Sequence, residues 1–393
     1  MEILRVNIKS LKLFFLWPMD NMSWVTNIIL SMIHQTYIFL TSIPTFAAVG
    51  YQFSVGIEDM NILAESVIAC CNYVGFVFIC ICFHINLPKI KGTIERTSNF
   101  LEFCDKSVVE AAEKKVRFIT IGLMIYFFFG LTTNGILPLL DYKNCNERRL
   151  SDYYRLHDPC GMPTRAMNPY EVNTRARFYF VLFLQHNTCS QIAFIVLSIT
   201  MILIGFLIHI TAQIENLRRH LLDTFSIKGS ESNPEKLLVD MEKKLKFCIR
   251  YHNTIIEYTR EVFEAYNITL VLHVCFTSAI WAIIGYQILS VDSLMDKSRY
   301  TLHLMGWVGM LFLTCYYGQK ILDESTTIGD AAYQSEWYNG PLHLKKMICL
   351  IILRSQRPLL LTVASIGVVS LATFVSIIKT AYSYFALLIT IAE

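Results

Sequence analysis

Charge is spaced along this 393-residue chain so that seven long stretches carry none, or almost none. Six windows free of Asp, Glu, Lys and Arg run between Asp20 and Glu58, Glu65 and Lys89, Arg117 and Asp141, Arg177 and Glu215, Glu264 and Asp292, and Arg299 and Lys320. A seventh runs from Leu359 to the C-terminus and is broken only by Lys379. About 20 apolar residues in a helix cross the roughly 30 Å of bilayer hydrocarbon, so each window holds one span. A hairpin inside the longer first and fourth windows would leave turn backbone unsatisfied in lipid, which favours one span in each. Only 17% of the residues are charged and mean hydropathy is +0.44, so the apolar excess is spread along the whole chain. The fold expected is an all-α membrane protein of seven transmembrane helices, at about 27–50, 62–86, 118–140, 178–209, 263–291, 301–319 and 359–391. Residues 11–17 are apolar but short, are interrupted by Lys12 and precede no small-residue cleavage site, so the first span reads as an uncleaved anchor.

Counting Lys and Arg in the connecting segments gives 24 on the side of the N-terminus and nine on the other, with Lys379 inside the last span. The positive-inside rule therefore puts the N-terminus in the cytoplasm and the C-terminus outside. That is the reverse of a G-protein-coupled receptor. The domain order that follows is a cytoplasmic segment 1–26, spans one to four over 27–209 with an outer loop 141–177, and a cytoplasmic helical extension 210–262. Spans five and six over 263–319, cytoplasmic anchor helices 320–358 and a last helix 359–393 complete it. Within 210–262, apolar residues such as Leu237, Leu238, Met241, Leu245 and Ile249 recur at helical spacing around a polar turn at 228–234. This pattern predicts that spans four and five project into the cytoplasm and pack there, the alternative being a solvated charged loop.

A formal charge of +3 and the lack of a basic tract interleaved with aromatics give no footprint for nucleic acid. No serine-nucleophile elbow, phosphate-binding loop or zinc-protease motif occurs, so no catalytic residues, no cofactor and no enzyme activity are expected. Most of the 12 cysteines fall within spans, where they serve as small packing residues, and none has zinc spacing, so no metal site is expected. Cys145 and Cys160 lie together in an outward loop and are the one candidate disulfide pair.

Spans two to six carry many aromatics with scattered hydroxyls, amides and imidazoles. The candidate pocket set is Asn72, Tyr73, Phe127, Gly130, Thr133, Asn134, Phe183, His186, Asn187, Trp281, His303 and Trp307, with Phe128, Phe129, Gln185 and Tyr286 beside them. A mostly apolar cavity with a few polar groups suits a small volatile organic ligand: burial supplies affinity and one or two hydrogen bonds fix orientation. Helix packing with interfacial aromatic belts is the alternative for any one of these residues. Gln185, His186 and Asn187 stand together in a charge-free window, too costly there unless they face protein or water, and are the leading pocket candidates. In the last span Ser376, Thr380, Ser383, Leu387 and Thr390 fall near one helical face. Such a stripe can line a pore closed by an apolar constriction, or pack against a neighbour through its small residues. Lys379 argues for water access yet would repel cations if it faced a pore.

The C-terminal third resembles a known family. Tyr333 with Trp337, the run 353–359 (LRSQRPL) and the ending 379–388 (KTAYSYFALL) are similar to the C-terminal signature of insect odorant receptors. The resemblance implies a tetrameric, ligand-gated, nonselective cation channel in the plasma membrane, in the dendrites of olfactory sensory neurons. Four last helices would surround its pore, with cytoplasmic helices joining the subunits and lipid around them. The family's coreceptor has a much longer segment between spans four and five than 210–262, so this chain resembles a tuning subunit that works with the coreceptor. By the family pattern, Leu387 and Thr390 fall at the gate. A gustatory-receptor-type channel, a seven-span G-protein-coupled chemoreceptor and a transporter are the competing readings; the chain lacks the gustatory ending and shows no internal repeat.

Overall fold

Each charge-free window that could form a helix does so, and several helices continue well past it. In a computed structural model, which describes residues 3–55, 60–140, 162–164, 166–168, 172, 174–225, 234–291, 294–363 and 367–392, nine α-helices occur among the described residues. They are α1 (Arg5–Leu13), α2 (Trp24–Val55), α3 (Met60–Thr97), α4 (Lys106–Leu140), α5 (Arg175–Thr224), α6 (Pro234–Ser290), α7 (Leu294–Gln334), α8 (Leu342–Ser355) and α9 (Leu371–Ala392). Five of them, α3 to α6 and α9, contain stretches long and apolar enough to cross a membrane. Helices α2 and α7 also have the length to cross, at 32 and 41 residues.

Helix α5 is the hub. Its most apolar stretch is 83% buried, against 11% for those of α4 and α9, so α5 is covered by protein while α4 and α9 turn most of their apolar surface outward. At 1.5 Å per residue the 50 residues of α5 and 57 of α6 reach about 75 and 85 Å, more than twice the hydrocarbon thickness. Their far ends pack with the end of α7 and with α8. Rings of Phe100, Phe103, Phe247, Tyr251 and Tyr258 interlock there, and the Asn216 amide donates to the Tyr251 hydroxyl at 3.3 Å. The short α1 lies against α5, where Gly205 makes room: a Cβ there would stand 2.3 Å from a Leu4 methyl.

The last helix begins at Leu371, twelve residues later than the 359 expected from the apolar run. Residues 359–363 and 367–369 are not helical, and Thr362 and Val363 of β1 (Thr362–Val363) pair antiparallel to Val368 and Gly367 of β2 (Gly367–Val368). Apolarity alone did not distinguish strand from helix here. Val363, Val368 and Val369 are β-branched, and Gly367 sits at φ +112°, which a side chain would resist. The segment docks on α7: the Leu359 amide donates to Ser325 Oγ at 3.0 Å, and Leu361, Val363 and Val369 are buried. A Cβ on Gly318 of α7 would come within 2.5 Å of the Val369 carbonyl oxygen, so only glycine allows this approach. Ser370 then starts α9, its Oγ accepting the Thr373 amide at 3.3 Å. Ten cysteines among the described residues are free thiols, and Cys145 and Cys160 lie outside the described residues.

Candidate ligand cavity

Five helices converge on a cavity of about 210 Å³. Helix α2 contributes Thr41, Ser42, Thr45 and Phe46, and α3 contributes Glu65, Ile68, Asn72 and Tyr73. Tyr126, Phe127, Gly130, Leu131 and Asn134 face it from α4, with Gln185, Thr188, Cys189, Ile192 and Val196 from α5 and Tyr300, His303, Trp307 and Met310 from α7. Along α4 the spacing 127, 130, 131, 134 keeps these side chains on one face. Pro163 and Thr164, from the segment before α5, close one end. That segment is held down by the Met167 amide, which donates to the Pro44 carbonyl at 2.8 Å, and by the Thr164 amide, which donates to Gln185 Oε1 at 3.3 Å.

A buried ion pair ties the same end. Arg299 Nη2 lies 3.1 Å from Glu65 Oε1 and 3.6 Å from Asp296 Oδ1, with side chains of Arg299 and Glu65 only 9% and 11% exposed. Arg299 also donates to the Met162 carbonyl at 3.1 Å and to the Tyr300 hydroxyl at 3.0 Å. The pair links α3, α7 and the loop across the roof, where low dielectric makes each charge dependent on the other.

Most polar groups of the wall are engaged with the protein. Thr188 Oγ1 donates to Thr41 Oγ1 at 2.8 Å, and Thr41 donates onward to the Tyr37 carbonyl at 3.0 Å. Asn72 Nδ2 donates to the Ile68 carbonyl at 2.9 Å and the Tyr126 hydroxyl to the Leu302 carbonyl at 2.6 Å. The Trp307 indole N–H donates to His303 Nε2 at 3.1 Å, which leaves the proton of the neutral imidazole on Nδ1.

Of the residues expected from sequence, Asn72, Tyr73, Phe127, Gly130, Asn134, His303 and Trp307 line this cavity together, as does Gln185. Thr133, Phe183, His186, Asn187 and Trp281 do not. Three consecutive helical residues fan over about 200°, so Gln185, His186 and Asn187 cannot share a target. The His186 ring instead packs over Gly135, 2.9 Å from where a Cβ would be, and Asn187 donates to the Tyr37 hydroxyl at 3.2 Å. Thr133 donates to its own helix at the Phe129 carbonyl, while Phe183, Phe128 and Phe129 point outward. Trp281 and Tyr286 are buried on α6, which lines none of the cavity. Trp281 has a different neighbour: its ring meets Phe374 of α9 edge-on at 6.1 Å, and one turn of α6 plus one more separates it from His273, whose ring meets Trp307 at 5.7 Å. The cavity wall is thus joined to the last helix through α6. Thr41, Ser42, Thr45 and Phe46 of α2 lie outside the set expected in spans two to six, and Glu65 and Arg299 read in the sequence only as limits of charge-free windows.

On α9 the five stripe residues, Ser376, Thr380, Ser383, Leu387 and Thr390, all lie on the face left uncovered by the rest of the chain. Ile377 and Ala381 are buried on the opposite face, and Phe385 packs over Gly285 of α6. The stripe hydroxyls of Thr380, Ser383 and Thr390 each donate to the carbonyl one turn back, at 3.0 Å, so they add polarity to the face while their protons stay satisfied. Among the described residues no group of His, Cys, Asp or Glu is placed to hold a metal ion.

Comparison with known proteins turns this geometry into a family assignment. The family model described as 7tm odorant receptor matches residues 59–382. The chain belongs to that family. This odorant receptor is 26% identical over 176 residues to an odorant receptor coreceptor of Aedes aegypti, a stretch covering 43% of this chain and 36% of that protein. It is 31% identical over 143 residues to odorant receptor 67c of Drosophila melanogaster, covering 36% and 35%, and 30% identical over 186 residues to odorant receptor 82a of the same fly, covering 47% and 46%. The matched stretches thus span less than half of these relatives. Its fold is that of the insect olfactory receptor OR5 from Machilis hrabei, solved in complex with eugenol, with a TM-score of 0.77 at 16% identity over 99% of this chain and 98% of that one.

Proposed function

We propose that this odorant receptor is the odorant-binding tuning subunit of a heteromeric, tetrameric, ligand-gated nonselective cation channel built with the odorant receptor coreceptor. It sits in the plasma membrane of olfactory sensory neuron dendrites with seven spans, α2 to α7 and α9, its N-terminus cytoplasmic and its C-terminus outside. The carrying observation is the cavity of about 210 Å³ among α2, α3, α4, α5 and α7, walled by Trp307 and joined through α6 to Phe374 of the last helix. A small volatile organic molecule fits a site of this kind, mostly apolar and bordered at one end by the Arg299–Glu65 pair. The uncovered face of α9 supplies Ser376, Thr380 and Ser383 to the pore wall, with Leu387 and Thr390 at the gate. The extensions of α5, α6 and α7 with α8 form the cytoplasmic anchor, and membrane lipid covers the outward faces of α4.

Opening follows as a population shift. A ligand that binds the open arrangement better displaces α7 and α6 together and carries Phe374 with them. Differential affinity of about 1–3 kcal/mol is typical of such coupling. The test is a recording from excised membrane without GTP, with this chain expressed alone and with the coreceptor, over an odorant panel. Cation current evoked only in coexpressing patches supports the reading. A response confined to intact cells and dependent on GTP replaces it with a G-protein-coupled receptor.

A further inference from the structure

On its outward side the bundle carries a second hollow, a groove of about 460 Å³ between α2 and α3. Phe39 of α2 and Val77, Ile81 and Ile85 of α3 line it, and Phe39, Ile81 and Ile85 are exposed. The two helices run antiparallel and touch at both of its ends. At one, the rings of Phe46 and Tyr73 meet edge-on at 5.3 Å; at the other, Ser31 Oγ lies 3.3 Å from His84 Nε2. At 1.5 Å per residue the stretch from Tyr73 to Ile85 is about 18 Å long, close to the roughly 15 Å that one leaflet contributes to the hydrocarbon. The register that pairs Ser31 with His84 sets the exposed Trp24, two turns earlier on α2, level with Lys91, two turns later on α3. Tryptophan gathers where hydrocarbon meets head groups, so this end of the groove opens onto the head-group layer. Lys91 also shares a helical face with His84, which lines the groove.

That end is basic. Lys91 Nζ is held 5.6 Å from the centre of the Trp17 ring, which in turn meets the Phe83 ring at 6.5 Å. Lys89 is exposed beside it, and among the described residues neither lysine has a carboxylate within ion-pair distance. Asp20 is engaged by Lys12 at 2.5 Å, and Glu95 stands one turn further along α3, away from the groove. We propose that one anionic phospholipid of the cytoplasmic leaflet binds here, an acyl chain in the α2–α3 groove and its phosphate against Lys89 and Lys91. An apolar slot of one leaflet's length that ends in unpaired lysines matches such a lipid at both ends, and basic pockets between spanning helices hold anionic head groups. A free phosphate lacks the chain and a zwitterionic phospholipid lacks the net charge, so neither meets both halves of the site. Tyr73 lines both the groove and the odorant cavity, so the chain and the odorant have it as a shared wall. Only the choice of leaflet rests on the orientation proposed above.

The test uses this chain coexpressed and purified with the coreceptor in detergent micelles. A phosphatidylserine carrying a diazirine on its acyl chain is photolysed, and the labelled peptides of this chain are mapped. Label is expected within 35–39 and 73–85, displaced by unlabelled phosphatidylserine and left in place by the same amount of phosphatidylcholine or of inorganic phosphate. Labelling should weaken about fivefold in Lys91→Gln and about 30-fold when Lys89→Gln is added, the equivalent of about 1 kcal/mol for each basic residue at an anionic lipid surface. Ile81→Trp, which fills the groove and leaves both lysines, should weaken it as well. Should the lysine variants not fold, the competition series on the wild type already decides. Phosphatidylcholine competing as well as phosphatidylserine, or labelling that survives the loss of both lysines, would reduce the groove to unselective lipid contact and overturn the proposal. Displacement by phosphate alone, or no label in the groove, would overturn it too. Micelles have no leaflets and no odorant is added, so each of these failures falls on the lipid site and leaves the orientation and the channel reading to the recordings described above.

Discussion

Replacing Gly130 by alanine places one methyl group in the cavity without disturbing the protein around it. Gly130 lines the cavity, and a Cβ built there meets nothing within 4 Å, so the methyl displaces ligand space and no protein atom. Within α4 the change relieves the conformational cost of a mid-helix glycine by about 1 kcal/mol, so folding and surface expression should hold or improve. A ligand that fills the space beside Gly130 then loses room for about one methylene, worth about 1–3 kcal/mol in an apolar pocket, or roughly 5- to 150-fold in half-maximal concentration. The assay is a concentration–response series over straight-chain alcohols of increasing length, recorded with the coreceptor. Gly130→Ala should weaken the response to the longest effective members most and shift the optimum to a shorter chain. An equal shift at every chain length, or none, with normal surface protein would refute the placement of the ligand against this wall.

Gly318→Ala forces a Cβ to within 2.5 Å of a backbone oxygen and should destabilise the protein by about 1–3 kcal/mol, read as a lower melting temperature of the purified complex, while Gly92→Ala, with nothing within 4 Å, should not. Arg299→Ala strands the buried Glu65 carboxylate and should cost about 3–5 kcal/mol, seen as loss of surface protein; pairing it with Glu65→Gln should recover much of the loss. His252, buried on α6 outside the membrane spans, has its pKa pushed down to about 4 by burial and by the Arg354 charge. A histidine depressed in the folded state contributes stability that is present above its ordinary value near 6.5 and lost as pH falls toward 4, so the melting temperature should drop between pH 7.5 and 5, and drop less in His252→Asn.

The sequence was most informative where one residue type answers to one local force. Charge-free windows located the long helices because an ionised side chain is costly in lipid, and the 127, 130, 134 spacing on α4 already put those residues on one face. Partners distant along the chain were not legible. Arg299 and Glu65 stand 234 positions apart and read as two window limits until the fold joins them. The trio at 185–187 reads as one polar cluster, yet helical rotation sends Gln185 to the cavity, His186 to Gly135 and Asn187 to Tyr37. The start of α9 depended on a strand pairing of two residues a side and on a close approach to Gly318, neither of which hydropathy registers.

In the proposed mechanism an odorant held in the cavity opens a pore lined by the uncovered face of α9. Cysteine accessibility tests it directly: Ser383→Cys, on that face, is compared with Ala381→Cys, on the buried face, each coexpressed with the coreceptor and exposed to a charged, membrane-impermeant thiol reagent with and without odorant, the unsubstituted chain serving as control. The reagent is expected to block current through Ser383→Cys channels, faster when odorant is present, and to spare Ala381→Cys. Normal odorant-evoked current through Ser383→Cys that the reagent never alters, with or without odorant, would show that this face of α9 does not line the pore.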